Sequence, residues 1–421
     1  MPGGGDGPAP GPNQPRSVHG GLSRRRFLGV GVGSLALSSL STSCLSAVAS
    51  PSGGSIPRQR LRQLGITIGQ LPTGPHNAIT DVAGVHVGHA TRILGEGPLV
   101  VGDGPVRSGV TAILPRSTDH WREPVAAADW ILNGNGELTG TGPIRRTGQL
   151  AAPILLTDTG SVGSVYDGAL EWMLSRDPLC LDGMPISAPV VGETWANTLH
   201  DTGGRHIGPA EVAEALNTAA SGPVVEGCVG GGTGMRAFAF KAGIGTSSRQ
   251  VEAASTPYQV GVLVQANVGR RSELRVDGVP VGEQIDDLMP DSVDVSAVPT
   301  SVPGNSLLVV VATDAPLLPT HLHRLCRRAA LGAARTGIVA THGSGDLLLA
   351  FSTAPNDESG QTRALHMRHL SRLYQGVVES TQEAILNSLT MATTMVGRDG
   401  NRIHALPLDR MLDIMRSHGR L

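Results

Sequence analysis

Leu307-Leu308-Val309-Val310-Val311-Ala312 runs without a polar interruption, and Leu347-Leu348-Leu349-Ala350-Phe351 does the same further on. A strand with one face in water alternates apolar and polar side chains. An unbroken apolar run reads instead as a strand covered on both faces, and two of them demand a sheet buried inside a layered structure. Between the runs, residues 316–335 carry Leu318, Leu322, Leu325 and Ala329 at helical spacing, and Gly337 marks the stop. A last helix is expected over 374–393, with Val377, Ile385 and Leu389 as its apolar points. Earlier in the chain, strands are expected over 82–88, 110–114, 153–157 and 258–265, and helices over 162–174 and 209–219. Residues 268–305 are polar and rich in Pro and Gly and read as a long exposed connection. Its Asp286, Asp287, Asp291 and Asp294 read as a solvated loop rather than a calcium site.

At 421 residues, 40% hydrophobic and 16% charged, the chain can bury a sizeable core and is not a disordered one. A net charge of -2, no basic stripe and only 3% aromatic residues argue against nucleic acid as a partner. Lys241 is the single lysine, so a Ser-Lys dyad would have one candidate. Residues 1–49 read as a Gly- and Pro-rich disordered start followed by a signal peptide. Arg24-Arg25-Arg26-Phe27-Leu28 precedes an apolar stretch to Leu40, too short and glycine-rich to span a membrane, and Ala47-Val48-Ala49 forms a small-x-small cleavage site. The arginine pair resembles a twin-arginine export signal, which implies a periplasmic or extracellular product; lipidation at Cys44 is the alternative. The other cysteines, Cys180, Cys228 and Cys326, have no metal-ligand spacing. Cys228 and Cys326 read as small buried apolar residues. One disulfide can form, and the sequence does not choose it.

Five segments could carry chemistry. Gly304-Asn305-Ser306 sits where a Pro/Gly-containing segment enters a buried strand. A serine there can attack the carbonyl before it, and hydrolysis of the resulting ester frees Ser306 as an N-terminal residue. A free α-amine ordinarily titrates at about pH 7.7–8.0, so it can then serve as a general base. Taken alone this is ordinary turn chemistry. Ser344 and Asp346 flank a glycine at the mouth of the second buried strand, where a tight turn is the plain alternative. Asn267 ends the strand over 258–265 and is either an oxyanion donor or a turn former. Glu193 follows an apolar strand and either holds a substrate ammonium or is a surface residue. Gly230-Gly231-Gly232-Thr233-Gly234 lacks both the Gly-Lys-Ser/Thr ending of a phosphate loop and the dinucleotide fingerprint, and reads as backbone that must pass close to the site.

Together these segments closely resemble the L-aminopeptidase/D-esterase family, which includes the β-peptidyl aminopeptidases. The likeness covers nearly all of residues 60–415. It rests on Ser306 ahead of Val309-Val310-Val311-Ala312-Thr313-Asp314-Ala315-Pro316, with Gly343-Ser344-Gly345-Asp346 behind, and on Gly230 to Met235, Val264 to Asn267 and Gly192-Glu193-Thr194 in the same order. The resemblance implies an α/β fold, a four-layer αββα sandwich of the self-processing N-terminal-nucleophile type. One catalytic domain over 50–421 would be cleaved between Asn305 and Ser306 into 50–305 and 306–421. It implies a serine aminopeptidase with Ser306 as nucleophile, Ser344 and Asp346 around the nucleophile and its amine, Asn267 at the oxyanion, and Glu193 on the substrate amine. Substrates would be small peptides or amino-acid amides and esters; no cofactor or metal is expected, and the assembly is expected to be a homo-oligomer. Family members often carry tyrosine two residues after that glutamate. Trp195 stands there in this chain, and an indole N–H donates but cannot accept or carry a proton. Two rivals remain: an acyltransferase of the ornithine acetyltransferase kind, whose nucleophile is threonine, and a self-cleaved binding protein without turnover.

Overall fold

The computed structural model describes residues 56–116, 121–183, 186–292, 305–355 and 364–421. The proposed signal peptide, the proposed lipidation site and Asp294 lie outside them. The elements in chain order are β1 (His86–Leu94), β2 (Val106–Leu114), β3 (Val125–Gly134), α1 (Thr141–Thr147), β4 (Gln149–Leu150), β5 (Ile154–Asp158), α2 (Val162–Arg176), β6 (Val190–Thr194), α3 (Pro209–Asn217), β7 (Arg236–Ala237), β8 (Phe240–Lys241), β9 (Ile244–Ala253), β10 (Thr256–Asn267), α4 (Val281–Gln284), β11 (Asn305–Thr313), α5 (Pro319–Ala334), β12 (Ser344–Ser352), α6 (Leu370–Thr390), β13 (Met395–Val396), β14 (Arg402–Ile403) and α7 (Leu408–Ser417).

The two apolar runs are β11 and β12. They lie side by side and parallel at the centre of a six-stranded sheet ordered β4-β3-β12-β11-β10-β9, with α5 as their crossover. A four-stranded sheet, β1-β2-β5-β6, faces it. Strand β11 shows why both its faces are apolar. Leu307, Val309 and Val311 pack with Leu322, Leu325 and Ala329 of α5 and Val377, Ile385 and Leu389 of α6. Leu308, Val310 and Ala312 pack between the sheets, against Ile113, Ile154 and Val190. The outer face of the smaller sheet, with Ala112, Leu155 and Val191, is closed by Val165, Ala169 and Met173 of α2 and Val212 and Ala215 of α3. The layers therefore run helix, sheet, sheet, helix, the expected αββα sandwich.

The structure departs from the sequence reading in several places. The strand expected over 82–88 begins at His86 and continues to Leu94, because residues 79–85 form a short turn of helix and a bend. The strands β3 and β9 were not legible from pattern: Ala126, Ala128 and Trp130 of β3 are half-covered by helices, and Thr246, Ser247, Ser248 and Arg249 of β9 are polar yet buried. The stretch 268–292 is not an exposed connection throughout, since Leu274, Val276, Val279, Val281 and Ile285 enter the helix-side core. Of its aspartates, Asp287 pairs with Arg410 and Asp291 with His404, as a solvated loop would.

The buried polar residues of β9 anchor α6. The Arg249 guanidinium, fully buried, donates to Glu379 Oε2 at 3.1 Å and Glu383 Oε2 at 2.7 Å. Glu383 Oε1 also accepts from Arg62 Nε at 2.9 Å and Asn77 Nδ2 at 2.6 Å. The glycine run is a packing device. A side chain on Gly231 would lie 2.3 Å from both Gln265 Oε1 and the Leu156 carbonyl, so only bare backbone fits between the sheets. The amides of Gly230 and Gly231 donate to the hydroxyls of Thr91 and Thr111. Cys180, Cys228 and Cys326 are free thiols; Cys326 is buried as expected, whereas Cys228 is partly exposed.

Candidate active site

The start of β11, the end of β10 and the start of β12 meet at one end of the central strands of the larger sheet. Ser306 lies opposite Asn267 on β10 and opposite Gly345 on β12, and Asn305 lies opposite Ser344. By the two-residue period of a strand, Ser306 shares the inter-sheet face with Leu308 and Val310. Its hydroxyl, 4% exposed, donates to the carbonyl oxygen of Asn305 at 2.7 Å. The Asn305 amide is held in turn by Thr341 Oγ1 at 3.1 Å.

Ser306, Glu193 and Trp195 line one cleft of about 530 Å³, together with Glu137, Thr159 and Val162. Glu193 ends β6 and is 5% exposed. Its Oε1 accepts from the backbone N–H of Glu137 at 3.1 Å and its Oε2 from the hydroxyl of Thr159. Burial pushes its pKa above the ordinary glutamate value, and those two donors only partly oppose the shift. Among the described residues no arginine, lysine or histidine pairs with it. A Cβ on Gly136 would sit 2.9 Å from Glu193 Oε1, so glycine lets that backbone reach the carboxylate. Trp195, 38% exposed, is tied from behind: Asn267 Nδ2 donates to its carbonyl at 3.1 Å, while Asn267 Oδ1 accepts from Arg236 N at 3.1 Å.

Asn267, Ser344 and Asp346 are buried behind the cleft rather than on its wall. Ser344 Oγ donates to Asp346 Oδ1 at 2.8 Å. The carboxylate of Asp346 lies on the helix side of the sheet, where it lines a second cavity with Leu307, Leu348 and Trp130. The sequence expectation placed these two residues around the nucleophile. The strand alternation instead puts them beside the Asn305–Ser306 peptide but on the face opposite the Ser306 hydroxyl. Asp346 Oδ2 has no hydrogen-bond partner among the described residues, and burial raises the pKa to about 6. Lys241 is remote from this chemistry: its buried ammonium donates to the carbonyls of Met235 and Ala242, each at 2.7 Å. Among the described residues no group of three or more His, Cys, Asp or Glu side chains is placed to hold a metal ion.

Sequence reasoning missed Asp158, Thr159 and Glu137. Asp158 ends β5, beside β6 in the parallel ladder. Its Oδ2 accepts from Gly160 N at 3.0 Å and its Oδ1 from Ala196 N at 3.1 Å, so one carboxylate fixes the turns that carry Thr159 and Trp195. Burial raises its pKa to about 6, and the nearby Glu193 charge adds to the shift. The signal for Asp158-Thr159-Gly160 was a strand-to-helix turn with an aspartate cap, which locally says nothing of a partner on β6.

Two sheets face to face between helical layers, with a serine at the head of a central strand opening on a cleft, define a hydrolase of the N-terminal-nucleophile fold. The comparisons agree. The sequence profile described as peptidase family S58 matches residues 77–403. A β-peptidyl aminopeptidase, BapA, of Sphingosinicella xenopeptidilytica is 42% identical over 86% of this chain and 92% of its own length. A second, of Sphingosinicella microcystinivorans, is 42% identical over 86% and 93%. The solved structure of the L-aminopeptidase D-Ala-esterase/amidase of Ochrobactrum anthropi, described as a prototype of the serine aminopeptidases, superposes with a TM-score of 0.77 at 39% identity. It covers 86% of this chain and 99% of that one. The chain belongs to peptidase family S58 and is an aminopeptidase acting on peptide substrates.

Proposed function

We propose that this aminopeptidase is a self-processing serine enzyme that releases the N-terminal residue, β-amino acids included, from short peptides, amides and esters. The observation that carries the reading is the Ser306 hydroxyl, 2.7 Å from the Asn305 carbonyl oxygen and on the same cleft as a buried carboxylate without a cationic partner. The hydroxyl attacks the Asn305 carbonyl carbon and the Ser306 nitrogen leaves, giving an ester. Water hydrolyses that ester to a new carboxyl-terminal Asn305 and a free Ser306 amine. The products are chains 50–305 and 306–421. The α-amine of Ser306 then takes the proton from its own Oγ as that oxygen attacks a substrate carbonyl, and the leaving amine receives the proton. Water hydrolyses the resulting acyl ester, releasing the N-terminal residue as a carboxylic acid and returning the proton to Oγ. Asn267, directly across the strand pair from Ser306, is the proposed donor to the developing oxyanion. Glu193 receives the substrate ammonium: a buried carboxylate with two neutral donors gains most from a cation. Ser344 and Asp346 flank the peptide that becomes the amine, and Asp346 Oδ2 offers it an acceptor. We also propose export by a twin-arginine route, which replacement of Arg24 and Arg25 by lysine should block. The inclusion of β-amino acids is proposed from the two Sphingosinicella relatives.

The test is a denaturing gel with N-terminal sequencing, followed by assays on paired substrates. Two chains, the smaller beginning at Ser306, and cleavage of a free-amine β-peptide but not its N-acetyl form are expected. An intact active chain would overturn the nucleophile assignment. Efficient cleavage of the acetylated peptide would overturn the aminopeptidase mode.

A further inference from the structure

The charged side chains on the wall of the cleft are Glu137 and Glu193, and among the described residues no cationic side chain lines it. The two differ in setting. Glu193 is buried at the end of β6, whereas Glu137 is exposed on the loop between β3 and α1. They are adjacent, because the Glu137 backbone N–H is itself a donor to Glu193 Oε1 at 3.1 Å. The Glu137 charge also acts on Glu193, disfavouring its ionised form. Asp158 adds a third carboxylate directly behind, its oxygens held by backbone amides and no cation within pairing distance except a histidine 3.8 Å away that burial keeps neutral. No ion pair involves Glu137 among the described residues. The remaining wall is partly apolar: Trp195 is 38% exposed, and Val162 at the start of α2 lines the cleft too.

A single α-ammonium on Glu193 leaves the Glu137 carboxylate without a counter-charge. We propose that Glu137 is a specificity-determining residue, and that the cleft prefers substrates whose N-terminal residue carries a second positive charge on its side chain. Lysine, ornithine, arginine and their β-homologues are of this class. The alkyl stem of such a side chain lies along Trp195 and Val162, and an indole face also attracts a cation. An acidic side chain meets like charge from Glu137 and Glu193 together. This deepens the aminopeptidase reading, resting on Glu193 as the receptor for the α-ammonium.

Two substrate pairs test it, as nitroanilides of lysine against norleucine and of glutamine against glutamate. At low salt kcat/KM should favour lysine over norleucine, and glutamine over glutamate, by about three- to tenfold each, the range expected for one partly screened charge contact. Both ratios should shrink in about 0.5 M salt, where screening is short-ranged. In Glu137→Gln the lysine-to-norleucine ratio should approach one, and in Glu137→Arg both preferences should reverse. Thermal denaturation checks that the variants fold, as expected at an exposed position. A wild-type enzyme that cleaves norleucine as well as lysine overturns the proposal, as does a ratio unchanged in Glu137→Gln. In either case the aminopeptidase reading stands. If no free-amine substrate is cleaved, the reading of Glu193 and this proposal fall together.

Discussion

The carboxylates under α6 and those around the Asn305–Ser306 peptide and its cleft are all buried and differently treated. Glu383 receives two guanidiniums and an asparagine amide, and Glu379 receives Arg249, the Leu71 amide and Gln375. Burial alone would raise the pKa of Glu379, yet the hydrogen bonds from Gln375, Leu71 and Gln70 with the Arg249 charge bring it below the ordinary value. Glu193 and Asp346 have only neutral donors, and both lie above their ordinary values because burial prevails. The first group is complete within the chain and holds helix to sheet. The second has no cation from the chain among the described residues, and the proposed function assigns that place to the substrate's ammonium and to the amine freed at Ser306.

The largest expected effect is on chemistry. Ser306→Ala should leave a single band on a denaturing gel and no detectable turnover, with thermal stability close to the wild type. On the other side of the comparison, Arg249→Leu strands Glu379 and Glu383 without their shared cation. Breaking a buried pair from one side costs about 3–5 kcal/mol, so chemical denaturation should report a large loss of stability. Glu193→Gln should do the opposite of Arg249→Leu. Turnover of free-amine substrates should fall about tenfold to a hundredfold, the worth of a charge-assisted contact, while stability holds or rises because no native cation is lost. A fall in stability like that of Arg249→Leu would show that Glu193 is structurally paired after all.

Thr159→Val removes one donor to Glu193 and should raise KM about tenfold with kcat little changed; Thr159→Ser should restore it. A change in kcat alone would place Thr159 outside ammonium binding. The smallest effect is a pH signature. The Asp346 carboxyl has a folded pKa of about 6 against about 3.9 unfolded, so the folded state holds its proton more tightly. The ionisation penalty is absent below about pH 3.9, grows between the two values and is complete above about pH 6. In the unprocessed Ser306→Ala background, Asp346→Asn should therefore raise the melting temperature slightly above pH 6 and leave it unchanged near pH 4. A shift independent of pH would mean that Asp346 is already compensated.

Legibility followed the range of the interactions. Ser306, Asn267, Glu193, Ser344 and Asp346 could be singled out as candidates from the sequence because each sits in a short segment with its own pattern at a strand end, and the segments together resemble one family. Thr159, Asp158 and Glu137 were not, because their roles depend on β5 pairing with β6 and on the β3–α1 loop reaching β6. Strand β9 failed for the same reason. Its Ser247, Ser248 and Arg249 look solvated in one dimension, and their partners on α6 and residue 77 lie more than a hundred positions away.

The sequence by itself determined the buried central strands, the helices between and after them, and the serine at the head of β11, since periodicity and chain punctuation are local properties. Only the tertiary structure decided which face each side chain serves. The pleat of β11 turns Ser306 toward the inter-sheet cleft, and the matching pleat of β12 turns Asp346 to the helix side. Whether a buried charge is completed by the chain or left for a ligand is likewise decided by which strands become neighbours, and that is fixed by packing across the whole sandwich.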